Sequence, residues 1–294
     1  MSRLLLVISI LIFVCSSCVD NKREKEMVFY VSVNGDNNNS GTLNKPFKSL
    51  EKARDTIRKL KKANKINSSV KVRLLAGEYM LRKPFILKPD DSGTKGHPII
   101  YEAYNDDEVI ISGGVKIVDW EPTELNGHKV LVADLTTIEE HGPFEQLWVN
   151  GHRAIQARVP NTGYLRALFD DSIIKNMAQG LNGEADRLSY ISDDEHYFDG
   201  LTEGVVVAFY KWLEYHLPFD RIDREKDQIV FKAKTMRPVE TDEKYYLEGG
   251  KEMLDYPGEW YLDRENKKLY YYPLEDETDV QAVIPVLENV LRIE

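Results

Sequence analysis

The segment from Val70 to Gly77 reads VKVRLLAG, a short strand-like stretch that ends in a tight turn. Apolar residues alternate with Lys71 and Arg73, so one face of this strand is predicted to be buried. Comparable stretches follow at 85–87, 98–101, 109–111 and 115–118, separated by polar turns. This succession of short strands predicts an all-β fold.

The spacing between these strands suggests a repeat. The strand of Val72 is followed by a comparable strand at Ile100, and that of Phe85 by one at Val109. Both intervals lie within the roughly 20–50 residues that separate structural repeats. Such intervals are typical of the coils of a parallel β-helix, in which a single coil cannot bury its inner face alone. We therefore predict that residues 28–119 contain a capping strand, a helix and the first coils of such a solenoid.

Residues 46–65 form the one segment with a convincing helical pattern. Ser49 can cap its N-terminus. The apolar residues Leu50, Ala53, Ile57, Leu60 and Ala63 recur at helical spacing and share one face. The end of a solenoid exposes unpaired strand edges. We expect this helix to cover the open end of the first coil.

The pattern changes after Trp120, where hairpins replace coil-like strands. Asn150-Gly151 lies between two strand-like runs and predicts a type I′ turn. Further hairpins are predicted at 219–231 and 260–272, turning through 224–227 and 263–268. Residues 120–278 are accordingly predicted to form an inserted antiparallel β domain, and residues 279–294 an incomplete return to the β-helix. The chain ends on apolar strands, from which we expect it to be truncated.

The N-terminus resembles an export signal. Residues 4–14 are apolar apart from Ser9, too short a run to span a bilayer. The following Ser16-Ser17-Cys18 matches the end of a bacterial lipobox. Residues 1–17 are therefore predicted to be a lipoprotein signal peptide, Cys18 the lipid attachment site, and residues 18–27 a tether. An ordinary signal peptide that is cut near Ser17 is the alternative.

Composition limits the possible partners. The formal net charge is −10 and no basic patch is visible, so nucleic-acid binding is not expected. The two cysteines are Cys15 and Cys18, so the folded part has no disulfide framework. The six histidines lack metal-ligand spacing, and no cofactor motif occurs. We predict a protein without metal or cofactor, held to the cell envelope by its lipid.

Several motifs, taken in order, resemble one enzyme family. They are YVSVNG at 30–35, KPFKSLEKA at 45–53, PDDSGT at 89–94, IISGG at 110–114 and QLWVNGHRA at 146–154. Together they look like glycoside hydrolase family 141, and the similarity covers nearly all of residues 28–294. The resemblance implies a right-handed parallel β-helix with an insertion domain, and a glycosidase of α-fucosidase type that acts on polysaccharide.

Catalytic residues cannot be assigned from the resemblance. Glycosidases use two acidic residues that flank the scissile bond. In β-helix glycosidases they lie on later coils, and no motif in this chain matches such a position. The catalytic residues are therefore left unknown, and this chain alone is expected to be inactive.

Three residues of the predicted inserted domain are candidates for glycan contact. They are Trp212, His216 and Trp260. Sugar rings stack on aromatic side chains, and His216 lies in the aromatic stretch 212–216. Because side chains alternate along a strand, about half of the aromatic residues in this domain must be core. Packing is therefore the competing interpretation for each of the three.

Two alternative functions remain open. A polysaccharide lyase can also use a β-helix, but it needs cations to neutralise a uronate, and the acidic composition disfavours it. A non-catalytic surface lipoprotein that binds glycans would share the same exported, β-rich design. The sequence points to no protein partner.

Overall fold

The computed structural model describes residues 26–136, 138, 144–168 and 185–294. The N-terminal signal, Cys18 and most of the tether therefore lie outside the described residues. Within the described ranges, no helix is both long and apolar enough to cross a bilayer.

Short strands dominate the secondary structure. The first part of the chain contains β1 (Met27–Val31), α1 (Leu50–Lys62), β2 (Val70–Leu74), β3 (Gly77–Met80), β4 (Phe85–Leu87), β5 (Ile99–Ala103) and β6 (Val109–Ser112). The middle part contains β7 (Gly114–Ile117), β8 (Trp120–Leu125), β9 (His128–Asp134), β10 (Leu147–Val149), β11 (His152–Gln156), β12 (Arg158–Val159), β13 (Leu165–Leu168) and β14 (Ala185–Tyr190). The last part contains β15 (Val205–Tyr210), β16 (Leu213–Asp223), β17 (Gln228–Thr235), β18 (Lys244–Glu248), β19 (Glu259–Asp263), β20 (Lys268–Tyr271), β21 (Ala282–Pro285) and β22 (Leu291–Ile293). Short 3₁₀ helices occupy Pro89–Asp91, Ser192–Phe198 and Lys251–Met253.

The predicted all-β class is confirmed, but the sheets are mostly antiparallel. Parallel pairs join β1 with β2, β2 with β5, β4 with β22 and β11 with β19. A complete parallel β-helix is not established by these pairs. The sheets are mostly antiparallel because many strands are joined by tight turns. Two-residue connections join antiparallel strands and are too short for a parallel crossover.

The chain divides into two compact units. The first contains the described part of residues 1–79 together with 85–111 and 291–294. The second contains residues 80–84 and 112–290.

In the first unit, β1, β2 and β5 lie side by side in one parallel sheet. Val72 pairs with Phe29 on one side and on the other with Tyr101, the immediate neighbour of the expected Ile100. The interval from Phe85 to Val109 does not correspond to a pair of neighbouring strands, because Phe85 pairs with Leu291 near the end of the chain. The strand of Val109 instead pairs with β3, whose residues GEYM were not predicted as a strand.

Helix α1 forms where it was predicted, over a shorter span. The Ser49 side chain accepts a hydrogen bond from the Lys52 backbone N–H and caps the helix. Leu50, Ala53 and Ile57 are buried, and Leu60 is only partly buried. The helix therefore packs mainly through its first two turns.

An ion pair ties this helix to the 3₁₀ turn at Pro89–Asp91. Nε and Nη2 of Arg58 each lie 2.6 Å from a carboxylate oxygen of Asp91. Burial opposes ionisation of Asp91, but the hydrogen bonds from Arg58 and from the Lys88 backbone N–H lower its pKa overall. Asp91 thus has a structural role in joining the 3₁₀ turn to the helix.

The second unit contains two sheets. One runs in the order β7-β21-β10-β11-β19-β20-β9-β8. The other runs β12-β18-β13-β14-β17-β16-β15, and an additional pairing of β18 with β15 closes six of its strands into a ring. Apolar side chains fill this ring, among them Tyr245, Leu247, Val206 and Ala208.

The predicted hairpins of this unit are confirmed. Asn150 and Gly151 have φ values of 49° and 81°, as a type I′ turn between β10 and β11 requires. The hairpins at 219–231 and 260–272 also form, with Asp223 opposite Gln228 and Asp263 opposite Lys268.

Candidate functional site

A cavity of about 470 Å³ lies within the second unit, on the outside of the closed ring of strands. Strands from both sheets supply its walls. Its lining residues are Glu145, Gln146, Arg153, Ala154, Ile155, Gln156, Arg158, Glu214, His216, Tyr246, Glu248 and Trp260. We call this cavity the pocket.

The strand register brings the polar residues of the pocket together. Val207 in β15 is paired with His216 of β16 on one side and with Tyr246 of β18 on the other. Directly paired residues point to the same face of a sheet, and every second residue shares that face. Glu214 and Glu248 therefore lie on the outer face with them. Val207 is buried beneath this layer.

His216 lies between two carboxylates. Its Nε2 atom is 2.7 Å from Oε1 of Glu214, and its Nδ1 atom is 3.8 Å from Oε1 of Glu248. Both ring nitrogens can donate to oxygen when the imidazole is protonated. The ring therefore fills the space between the two acids.

Glu248 is the most enclosed of these acids, with 19% of its side chain exposed. Burial raises its pKa, while the nearby His216, a hydrogen bond from Tyr246 and the charge of Arg158 oppose the rise. An acid in such a position is a strong hydrogen-bond acceptor that a ligand can reach from one side.

Arg158 covers the ring of Tyr246. The guanidinium carbon lies 3.9 Å from the ring centroid, well within the range of a cation–π contact. Nε of Arg158 donates to the carbonyl of Pro160, and Nη2 donates to the carbonyl of Gly163. These bonds fix the guanidinium in place. Burial raises the pKa of Tyr246 to about 12, so its hydroxyl remains a donor at neutral pH.

Two more aromatic rings continue the face that Tyr246 begins. Tyr164 meets Phe209 edge to face at 5.5 Å between centroids, and it lies 6.1 Å from Tyr246. Tyr164 is about half exposed. The pocket therefore borders a cluster of aromatic rings, in which Arg158 covers Tyr246 and Lys244 lies over the half-exposed Tyr164.

A second buried acid lies beside the pocket. Glu259 is fully buried, and its Oε1 atom accepts a hydrogen bond from the Arg158 backbone N–H over 3.3 Å. Burial and the nearby Asp255 raise the pKa of Glu259 to about 8. Its carboxyl is therefore protonated at neutral pH and supports the strand that carries Arg158.

The three candidate residues from the sequence lie in different places. His216 lines the pocket. Trp260 reaches the pocket wall but is 1% exposed and stacks on Phe144, so packing accounts for it. Trp212 is 84% exposed at the tip of a hairpin and is not among the pocket residues.

Sequence reasoning did not single out Glu214, Tyr246, Glu248 or Arg158. Glu214 is two residues from His216 and shares its face, which was a usable signal. The other residues come from strands that are distant in sequence, and only the register brings them to the pocket. Within the described residues, no group of three or more His, Cys, Asp or Glu side chains is arranged to hold a metal ion.

The chemistry of the pocket suits a ligand rich in hydroxyl groups. Carboxylate and amide oxygens accept hydrogen bonds from hydroxyls. The amides of Gln146 and Gln156 can donate in return. The neighbouring aromatic rings offer apolar faces.

Comparison with known proteins gives one match to a family model and two matches to solved structures. Residues 210–274 match the family model described as the GH141 insertion domain. A solved structure titled glycoside hydrolase matches with a TM-score of 0.75 and 23% identity, covering 91% of this chain and 48% of that chain. A solved complex of XylC with xylose matches with a TM-score of 0.38 and 16% identity, over 90% of this chain and 32% of that one.

A search of curated proteins finds no match to this sequence. The chain spans about half the length of the solved glycoside hydrolase whose fold it shares. The segment from Tyr210 to Leu274, which contains Glu214, His216, Tyr246 and Glu248, is similar to the insertion domain of family GH141.

Proposed function

We propose that this chain is part of a glycoside hydrolase and that its pocket holds a portion of a carbohydrate substrate. The main observation in support concerns three residues of the pocket, Glu248, His216 and Tyr246. All three belong to the segment that is similar to a glycoside hydrolase insertion domain. Hydroxyl-rich ligands fit this set of acceptors and donors.

The domain organisation supports the same proposal. We propose that residues 120–278 are the insertion domain and that parallel strands within residues 28–119 and 279–294 contribute to a right-handed parallel β-helix. β7 and β21 pair antiparallel with each other in the second unit and so lie outside that helix. The parallel pairing of β1, β2 and β5, in chain order and in register, is what successive coils would require. The pairing of β4 with β22 would return the chain to the solenoid after the insertion.

Recognition suits the pocket better than hydrolysis. Catalytic acids of a glycosidase flank an open gap that holds the scissile bond, and in inverting enzymes also a water molecule. The imidazole of His216 occupies the space between Glu214 and Glu248. We therefore propose that the catalytic acids lie elsewhere in the parent enzyme. From the family resemblance, we also propose that α-fucosides are among the substrates of that enzyme.

A non-catalytic surface protein that binds glycans is the second candidate, because a recognition pocket by itself would serve it equally well. In both cases we propose export and attachment to the cell envelope through Cys18. A lyase is less well supported, since Arg158 already donates to two carbonyl groups.

Two measurements test the proposal. Affinity electrophoresis of the purified protein in gels that contain plant or host polysaccharides should show retardation by at least one of them. Aryl-fucosides and other aryl-glycosides should not be turned over. Migration unaffected by every polysaccharide would contradict glycan binding, and turnover proportional to protein concentration would place catalytic acids inside this chain.

A further inference from the structure

We propose that the pocket selects neutral, hydroxyl-rich sugars and discriminates against uronic acids. This inference rests on the proposed function and adds the class of sugar. It follows from where the charges of the pocket lie and from which of them are already engaged by the protein.

The innermost carboxylate of the pocket, which can accept hydrogen bonds, is that of Glu248. Glu248 is more enclosed than Glu214, and Glu145 lies at the exposed rim. The part of a ligand that enters furthest therefore meets a carboxylate. A sugar hydroxyl can donate to it, whereas a second carboxylate would be repelled.

Arg158, the more enclosed cation, is already engaged. It is paired directly across the sheet with Glu248, and its guanidinium donates to the carbonyls of Pro160 and Gly163. The guanidinium carbon also lies 3.9 Å from the centroid of the Tyr246 ring. A bidentate bond to a uronate requires two N–H groups on one edge of a guanidinium, and the Nε–Nη2 edge of Arg158 already donates to carbonyl groups.

His216 does not supply a replacement cation. When protonated, its two N–H groups point toward Glu214 and Glu248, so that its charge is shared with both acids. When neutral, it carries no charge to offer. In either state the pair of acids surrounds it.

Arg153 is the remaining guanidinium of the pocket. It is exposed and pairs across the β10–β11 hairpin with Trp148, so it belongs to the outer wall. The pocket thus has two guanidinium groups, those of Arg153 and Arg158. It has three carboxylates, those of Glu145, Glu214 and Glu248. The lining is thus formally more acidic than basic, and the excess acid includes the enclosed position.

Matched sugar pairs test this inference directly. Methyl galactoside with methyl galacturonoside, and methyl glucoside with methyl glucuronoside, differ only in the group at carbon 6. Binding of each to the full chain can be measured by ligand-observed NMR, with neutral xylosides and fucosides added to the panel. We expect the neutral members that bind to do so at least about tenfold more tightly than a uronate.

The Glu248→Gln variant tests whether the charge of Glu248, and not only its packing, causes the preference for neutral sugars. Removing the enclosed charge should narrow the preference for the neutral member of each pair, mainly by improving uronate binding. Glu225→Gln changes an exposed acid in the 224–227 turn and should leave the preference unchanged. If Glu248→Gln does not fold, raising the ionic strength with the unmodified protein should narrow the preference by screening.

The outcomes distinguish a failure of the sugar selectivity from a failure of the proposed function. A uronate that binds as tightly as its neutral partner would overturn the selectivity while leaving glycan binding intact. A panel in which no sugar binds would overturn the proposed function itself. If the preference for neutral sugars is the same in Glu248→Gln and is also unchanged by added salt, its electrostatic cause is contradicted.

Discussion

Oε1 of Glu248 lies 3.8 Å from Nδ1 of His216, although a complete strand separates the two in their sheet. Both side chains reach over Val207, which is buried beneath them. A bulky or polar residue at position 207 would disturb this layer. The pocket therefore depends on strand register as much as on the identity of its acids.

The buried carboxyl of Glu259 predicts a pH-dependent stability. Its pKa is raised from an ordinary value of 4.5 to about 8, so the folded state retains a proton that the unfolded state releases. The stabilisation is complete below about pH 4.5 and is lost as pH rises through 8. At about 1.4 kcal/mol per pKa unit, the loss is on the order of 5 kcal/mol. Chemical denaturation between pH 5 and pH 9 measures it.

Glu259→Gln removes the titrating proton while keeping an acceptor for the Arg158 backbone. Its stability should fall less with rising pH, and above pH 8 it should exceed that of the unmodified protein. Glu225→Gln, at an exposed turn, is the control. Equal pH dependence in Glu259→Gln and the unmodified protein would show that Glu259 is ionised in the fold.

The packing of α1 predicts a loss of stability when its buried face is truncated. Ile57 is 2% exposed, so Ile57→Ala should cost about 2–5 kcal/mol of unfolding free energy. Lys59→Ala, at an exposed position of the same helix, should cost little. Urea denaturation measures both. Similar midpoints for the two variants would mean that the helix is not docked through this face.

Local features of this fold were readable from the sequence. The helix cap at Ser49 and the turn at Asn150-Gly151 depend on residues close together in the chain, and both are confirmed. Such features need only the chemistry of a few adjacent side chains.

Long-range pairing was not readable in the same way. The partner of Phe85 is Leu291, and this pairing could not be predicted because residues 112–290 of the second unit lie between the two in sequence. The short strand of Gly77–Met80 has no alternating run to reveal it. His216 was singled out, but its neighbour Glu248 was not, since only the register of β15 unites them.

The N-terminal sequence predicts lipid attachment at Cys18, which lies outside the described residues. Cys18→Ala should abolish incorporation of a radiolabelled fatty acid into the protein when it is expressed in bacteria. Cys15→Ala is the matched control and should be labelled normally. Equal labelling of Cys18→Ala and the unmodified protein would refute the prediction.

The outer edge of β22 predicts self-association. Within the described residues β22 pairs only with β4, and Ile293 is 76% exposed. Unpaired strand edges with apolar side chains are templates for another chain. Ile293→Lys should therefore reduce the association seen by light scattering across a concentration series. Val118→Lys changes another exposed apolar residue and should not.

A protein that stays monomeric at high concentration, with residues 291–293 protected from hydrogen exchange, would contradict this expectation. Protection in a monomer would mean that the edge is covered within the chain itself.

The central claim, that the pocket binds glycan, is tested most directly by titration calorimetry with a polysaccharide that retards the protein in gels. Tyr246→Ala removes the ring that carries the guanidinium of Arg158, and Tyr256→Ala removes an exposed tyrosine that does not line the pocket. We expect Tyr246→Ala to weaken binding at least about tenfold, consistent with the loss of about 1.4 kcal/mol. Tyr256→Ala should bind normally. Unchanged affinity in a folded Tyr246→Ala protein would contradict the account and place the glycan elsewhere.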